Sequence, residues 1–433
     1  MLGLTLGPKM TDTASPRVPS KTRKKIDWLL RRAEGALLPQ AVLDAEGAHL
    51  KPAEARVQLV ANAEDVARTG HATRVEHLFR AIDVKDAALT RAYVDQHGVS
   101  GVRRFHAGEK TRIYCLEVET LPRHVNNIYL VLEPGSSLLV DCGSGFDSST
   151  RDLALTFAVV RAVFGEQTTF AELDWCVITH AHIDHFGGAM YLRENSRARL
   201  AVHELDARVL ACFEERLVVA SKDLDVFWRR AGVPDDERAK LGERYGYTKR
   251  FFRSVEIDRT LRDGDALGPG YRVHHTPGHC PGQICLQAGD VLFTSDHVLA
   301  RTTPHQFPQA VTPFGGLEHY FHSLSKVRKI EGINLALAGH EEPIWDLRSR
   351  IDGIALFHRD RLAKVLELCK EPKTIHDVTA HMFGELDGYG TLLAIEEAGA
   401  HVEYLHQLGK LRIANLDEVE RERDPVIRYA TRG

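Results

Sequence analysis

Thr179-His180-Ala181-His182-Ile183-Asp184-His185-Phe186-Gly187-Gly188 is the stretch whose reading decides the fold of this chain. Four side chains able to bind a transition metal fall within six residues, separated only by Ala181 and Ile183. The apolar, β-branched run Trp175-Cys176-Val177-Ile178 leads into them and reads as a buried strand. At the end of such a strand His180 and His182, two apart, point the same way. Asp184 and His185 come after the turn, where the chain aims them at a second point. Gly187 and Gly188 carry no Cβ, so the backbone there can pass close to whatever the ligands hold. A metal takes neutral imidazole and ionised carboxylate, and a catalytic one keeps a position open for water. Four ligands this close cannot all serve one tetrahedral ion with good geometry. Two ions are therefore expected, with further donors from elsewhere in the chain. A run of exposed polar residues is the bland alternative, and the density and order of the four donors argue against it.

Three later strand ends supply such donors. Tyr271-Arg272-Val273-His274-His275 runs into the turn Thr276-Pro277-Gly278 and then His279, with Gly282 soon after. Val291-Leu292-Phe293-Thr294-Ser295 is a short buried strand ending at Asp296-His297. A buried aspartate needs compensation, and a place between two cations provides it. Leu335-Ala336-Leu337-Ala338 is another apolar strand and ends at Gly339-His340.

Taken in order, Asp141, the HAHIDHFGG stretch, TPGHCPGQ, Ser295-Asp296-His297 and Ala338-Gly339-His340 resemble the five motifs of the metallo-β-lactamase superfamily over about residues 111–350. The resemblance implies an α/β fold, a four-layer αβ/βα sandwich with a two-metal site at one edge. It assigns His180, His182 and His279 to the first metal, Asp184, His185 and His340 to the second, and Asp296 to a bridge between them. Asp141 supports the site without binding metal. Two zinc ions are the expected cofactors, with iron or manganese as alternatives. The HxHxDH form with TPGH is similar to that of glyoxalase II-like hydrolases. Where members often carry Gly-His-Gly, this chain has Gly339-His340-Glu341, and Glu341 is expected to crowd or acidify the mouth.

With 433 residues the chain is long for one core. Hydrophobic content of 43% and charged content of 27% describe a soluble globular protein, and a net charge of −4 gives no overall pull toward nucleic acid or anionic membrane. Seven cysteines without regular spacing form no disulfide framework and suit a cytoplasmic setting. Cys142 and Cys280 border site loops, where a small packing residue is the expected role. No apolar run approaches a membrane span, and Met1–Gly7 lacks the basic start of a secretory signal.

Four segments are expected: a disordered tail over 1–20, a helical accessory domain over 21–104, a catalytic domain over 105–350 and a winged-helix-like domain over 351–433. In the second, Leu78, Phe79 and Ile82 suggest one of several helices. Strands are expected at 112–118, 127–132 and 137–141, then a helix over 153–164. Residues 203–258 read as helical and aromatic (Phe213, Phe227, Trp228, Tyr245, Tyr247, Phe251, Phe252), either as core packing or as an apolar lid. A helix from Phe357 to about Lys370, a second from Thr374 to Phe383, a third from Thr391 to Leu408 and a possible wing at Gly409-Lys410-Leu411 resemble the tail of the β-lactamase-like protein 2 group, whose members include a ribonuclease and polyketide thioesterases.

The expected reaction is hydrolysis. A hydroxide bridging the two metals, formed near neutral pH because zinc lowers the pKa of water to about 7, attacks an ester, thioester or lactone carbonyl. Asp184 and Asp296 are the carboxylates expected to serve catalysis. The partner is then a small-molecule acyl substrate. Cleavage of single-stranded RNA ranks second, because nucleic-acid contact wants Lys and Arg. Thr391–Leu408 carries Glu396, Glu397 and Glu403 with neither. That composition favours packing or dimerisation, so a homodimer is kept open, and no membrane is involved.

Overall fold

The computed structural model describes residues 102–432 except 123, 269, 385, 387 and 388, together with the strand Val75–Leu78 (β1). The chain divides into two compact units, 1–99 and 100–433. The expected tail over 1–20 and nearly all of the expected helical segment lie outside the described residues. Two described pieces of that segment differ from the expectation. Val75–Leu78 is strand, a piece too short for its apolar spacing to separate helix from strand. Val102-Arg103-Arg104 opens a strand of the larger sheet, so the α/β domain begins before 105.

In the second unit Val102–Ala107 (β2), Thr111–Leu121 (β3), His124–Glu133 (β4) and Ser136–Val140 (β5) form antiparallel neighbours in chain order. Asp147–Phe164 (α1) returns the chain across the sheet, starting earlier than expected with Asp147 in its first turn, where an anion suits the helix dipole. Trp175–Ile178 (β6) then lies parallel to β5. The short helices Ile183–Phe186 (α2) and Ala189–Asn195 (α3) come after it, and Arg199–His203 (β7) pairs parallel to β6. Three helices come next, Glu204–Ala211 (α4), Phe213–Arg230 (α5) and Asp235–Lys249 (α6), before Arg259–Leu261 (β8) closes that edge.

The second sheet contains Tyr271–His275 (β9), Ile284–Ala288 (β10) and Val291–Ser295 (β11), antiparallel in turn. Leu317–Arg328 (α7) then crosses to Leu335–Ala338 (β12), which runs parallel to β11. Strands buried on both faces read as unbroken apolar runs, which is why Leu335–Ala338 and Val291–Ser295 were legible. The inner faces of the two sheets meet where the Tyr129 and Phe293 rings lie 5.1 Å apart and where Tyr129 Oη donates to Ala338 O at 2.6 Å. The α/β architecture expected from the sequence is present.

Leu347–Leu368 (α8) begins ten residues before the expected Phe357 and runs through the expected boundary at 350/351. Its start is set by Asp346, whose side chain accepts from Ser349 N, a cap of the usual Asp/Ser kind. Ile375–Phe383 (α9) opens on a capping box of Thr374 and Asp377. Tyr389–Gln407 (α10) is next, then Leu411–Ile413 (β13), Leu416–Arg421 (α11) and Tyr429–Thr431 (β14), with β13 and β14 antiparallel. Two packings are seen among the described aromatic side chains of 203–258. Phe227 and Trp228 join Val365, Ile375, Leu392 and Ile395 in a core shared by α5, α8, α9 and α10. Phe213 and Phe252 pack against Phe186 beneath α2, while Phe251 is exposed.

Candidate metal centre

All seven donors named from the sequence come together at the strand ends on one edge of the two sheets. Leaving β6, the chain places His180, then His182 as the cap of α2, whose single turn carries Asp184 and His185. His279 lies beyond β9, Asp296 beyond β11 and His340 beyond β12.

In the first group His182 Nδ1 lies 3.1 Å from His180 Nε2 and 3.0 Å from His279 Nε2. His279 donates its Nδ1–H to His305 O at 2.7 Å, which leaves a lone pair on its Nε2. One ring nitrogen carries at most one proton, so three facing nitrogens cannot all be satisfied by hydrogen bonds. Burial, reinforced by the neighbouring imidazoles, holds His180 and His182 well below the usual histidine range. Neutral imidazoles with converging lone pairs are what a cation requires.

In the second group Asp184 Oδ2 is 3.5 Å from both His185 Nε2 and His340 Nε2. Asp296 Oδ2 lies between the groups, 3.4 Å from His340 Nε2, 3.6 Å from His185 Nε2, 3.7 Å from His279 Nε2 and 4.0 Å from His180 Nε2. Its other oxygen, Oδ1, is buried and has no hydrogen-bond partner. Burial opposes charge on His340, yet Asp296 and Asp184 push it up to about 10, and Asp184, Asp296 and Asp141 likewise carry His185 well above its usual range. Protons on these two rings supply the positive charge that a bound cation would otherwise bring. The chemistry of these His/Asp groups fits the binding of divalent metal.

Supporting groups hold these donors. Asp141, at φ 64°, accepts from Thr179 N at 2.7 Å and from His185 Nδ1 at 2.8 Å, fixing that ring. Ser295 and Glu341 also have positive φ, at 45° and 67°, a conformation costing roughly 1–2 kcal/mol for a residue with a Cβ. The Glu341 carboxylate is committed to the 301–302 turn, accepting from Arg301 N at 2.6 Å and Thr302 Oγ1 at 2.9 Å. Its backbone angle explains why glycine suits that position. Of the two cysteines, Cys142 is buried against His185 O, while Cys280 Sγ lies 3.4 Å from His182 Nε2 and so touches the site itself.

Sequence reasoning missed three other supports. The first turn of β4 is a clamp: His124 and Asn126 reach Asp184, Val125 O accepts from His340 Nδ1 at 2.9 Å, and Asn127 holds Ala338 O and Glu341 O. Asp206, on α4, accepts from Ala181 N and Gly282 N, both at 2.8 Å, and so ties together the two loops that carry His180, His182 and His279. On α10, Glu397 accepts from Gln306 N at 2.7 Å, Glu403 from Gln309 N at 2.5 Å and Ala310 N at 2.9 Å, and Glu396 pairs with His305 at 3.3 Å. The only signal of these in the sequence was polar residues in apolar surroundings.

An α/β sandwich carrying a His/Asp centre at its strand ends defines a class of metal-binding proteins. Residues 121–340 match the family described as the metallo-beta-lactamase superfamily, and residues 362–432 match its metallo-beta-lactamase-like C-terminal domain. This chain belongs to the metallo-β-lactamase superfamily, whose members generally bind divalent metals. It is 32% identical over 180 residues to an acyl-coenzyme A thioesterase MBLAC2 of Bos taurus, a match covering 40% of this chain and 58% of that protein. The chain thus spans somewhat over half the length of such curated relatives. A metallo-beta-lactamase family protein from Thermus thermophilus superposes with a TM-score of 0.61 at 27% identity, covering 74% of this chain and 98% of the other. A beta-lactamase domain protein from Burkholderia ambifaria gives 0.62 at 25% identity, covering 76% and 94%.

Proposed function

We propose that this chain is a dinuclear metal-dependent hydrolase acting on an acyl ester, thioester or lactone, with a thioester the favoured substrate. The observation that carries the reading is Asp296 Oδ2, set within 4.0 Å of an imidazole nitrogen from each of His180, His185, His279 and His340. Similarity to an acyl-coenzyme A thioesterase supports the choice of thioester over the other acyl groups.

His180, His182 and His279 would hold the first cation, Asp184, His185 and His340 the second, and Asp296 both. Zinc is the expected ion, with iron or manganese as alternatives. Bound there, the cations supply Lewis acidity, which makes hydroxide available near neutral pH and polarises the acyl carbonyl. Asp184 would accept a hydrogen bond from the attacking water and aim it. His305 O fixes the His279 ring, and Asp141 fixes His185, so neither donor needs to reorient during reaction.

Among the described residues no helix is long and apolar enough to cross a membrane. All seven cysteines are free, which suits a reducing, cytoplasmic setting. We read the tail of helices with its two-stranded ribbon as winged-helix-like, and as a brace more than a reader of nucleic acid. Glu396, Glu397 and Glu403 bind the 305–310 loop. The deciding experiment measures thiol release from acyl-CoA analogues beside cleavage of labelled single-stranded RNA, on metal-loaded and chelated protein. Metal-dependent thiol release is expected; RNA cleavage without it would replace this reading by the ribonuclease one.

A further inference from the structure

His124 is not among the seven donors, yet it sits against them. It is the first residue of β4, and Asn126, two residues on, shares its face. Both side chains reach one carboxylate oxygen: His124 Nε2 lies 3.2 Å and Asn126 Nδ2 3.1 Å from Asp184 Oδ2. That oxygen is the one turned toward His185 Nε2 and His340 Nε2. The His124 ring also lies against His340, with centroids 4.6 Å apart. The residue between the two, Val125, takes the Nδ1–H of His340 on its carbonyl. One turn of strand thus fixes both the carboxylate and one imidazole of the second cation position.

We propose that His124 is a positioning residue for Asp184, donating Nε2–H to the carboxylate so that Oδ2 stays aimed at the second cation. The inference rests on the dinuclear reading above. An ionised carboxylate only accepts, so the contact assigns a proton to Nε2. The His124 side chain is 48% exposed, against 13% for Asp184, so it forms the solvent-facing end of this chain of contacts. Partners of ligating carboxylates typically alter metal affinity about 10- to 100-fold when removed. Among the described residues no hydrogen bond or ring contact joins His124 to His180, His182 or His279, so the first cation position should not respond.

The test is titration of metal-free full-length protein, prepared by chelation and removal of the chelator, with Zn²⁺ or Co²⁺ alone, reading stoichiometry and the two affinities by calorimetry, and for cobalt by its visible spectrum. Wild type is expected to take two equivalents. In His124→Ala the second should weaken about 10- to 100-fold and the first stay unchanged. His124→Gln, whose amide can donate at similar reach, should recover most of the loss. Equal thermal melting of the metal-free proteins guards against a folding defect. A second equivalent held as tightly in His124→Ala as in wild type overturns the proposal, as does His124→Gln binding no better than His124→Ala. Wild type taking up fewer than two equivalents would instead sink the dinuclear reading on which it depends.

Discussion

Replacing Asp206 by Asn should remove from the metal-free protein a loss of stability that sets in between acid and neutral pH. Asp206 is fully buried, with its two oxygens facing the N–H groups of Ala181 and Gly282. Gly282 is required beside it, because a Cβ there would fall 2.5 Å from Asp206 Cγ. Burial dominates the two hydrogen bonds and pushes the carboxyl up from 3.8 to about 6. A raised folded-state pKa means that the native protein holds its proton longer than the unfolded chain does. The stabilising contribution is present below the unfolded value and is lost as pH rises through the folded one. The full loss is about 3 kcal/mol, at about 1.4 kcal/mol per pH unit, with about 2 kcal/mol of it falling between pH 4.5 and 7.5. Asn does not titrate; its amide oxygen can accept from only one of the two N–H groups, a cost of about 1–3 kcal/mol that is the same at every pH and drops out of the pH dependence. Urea unfolding of wild type and Asp206→Asn across that range, with chelator present, reads the difference directly, and terms common to both proteins cancel. The variant should gain about 2 kcal/mol on wild type from pH 4.5 to 7.5. A flat difference, or one that grows in the opposite sense, refutes the argument. Bound cations favour the ionised carboxylate, so the gain should shrink in metal-loaded protein.

The same geometry sets three other outcomes. His180→Ala should lose hydrolysis together with at least one equivalent of metal, checked by elemental analysis beside thiol release; full activity in metal-loaded His180→Ala would remove the metal mechanism. Gly339→Ala should lose metal affinity while still folding, because the added Cβ meets Asp296 Oδ1 and crowds His185 Cε1 at 2.8 Å; unchanged metal titration would count against that packing. Glu403→Ala removes the acceptor from the half-buried N–H of Gln309 and the exposed N–H of Ala310, of which the second can turn to water, so stability should drop by about 1–2 kcal/mol and hydrogen exchange at 305–310 should quicken. If exchange there is unaltered, α10 does not brace the loop.

Donors within the 180–185 cluster are neighbours in the chain, and His279, Asp296 and His340 each end an apolar run. A strand delivers the residues at its end to the sheet edge, so pattern and residue type were enough to single out the seven candidates that the fold brings together. The same periodicity gave the strands at 112–118, 127–132 and 137–141. It failed at the start of α8, where the cap at Asp346 precedes the apolar spacing that marks a helix, and at Val75–Leu78, which is too short to show a period.

What tertiary structure alone decided is the polar scaffold around the donors. His124 meets Asp184 across 60 residues, Asp206 meets Gly282 across 76, and Glu403 meets Gln309 across 94. A metal ligand is restricted to a few residue types, and those types leave a visible signature. A hydrogen bond to a backbone N–H or a carboxylate can be made by many side chains from any direction. Its partner is fixed only when distant segments are brought within about 3 Å. The sequence by itself therefore pointed to the family, the α/β fold and seven candidate donors, while the folded chain decided which residues hold those donors still.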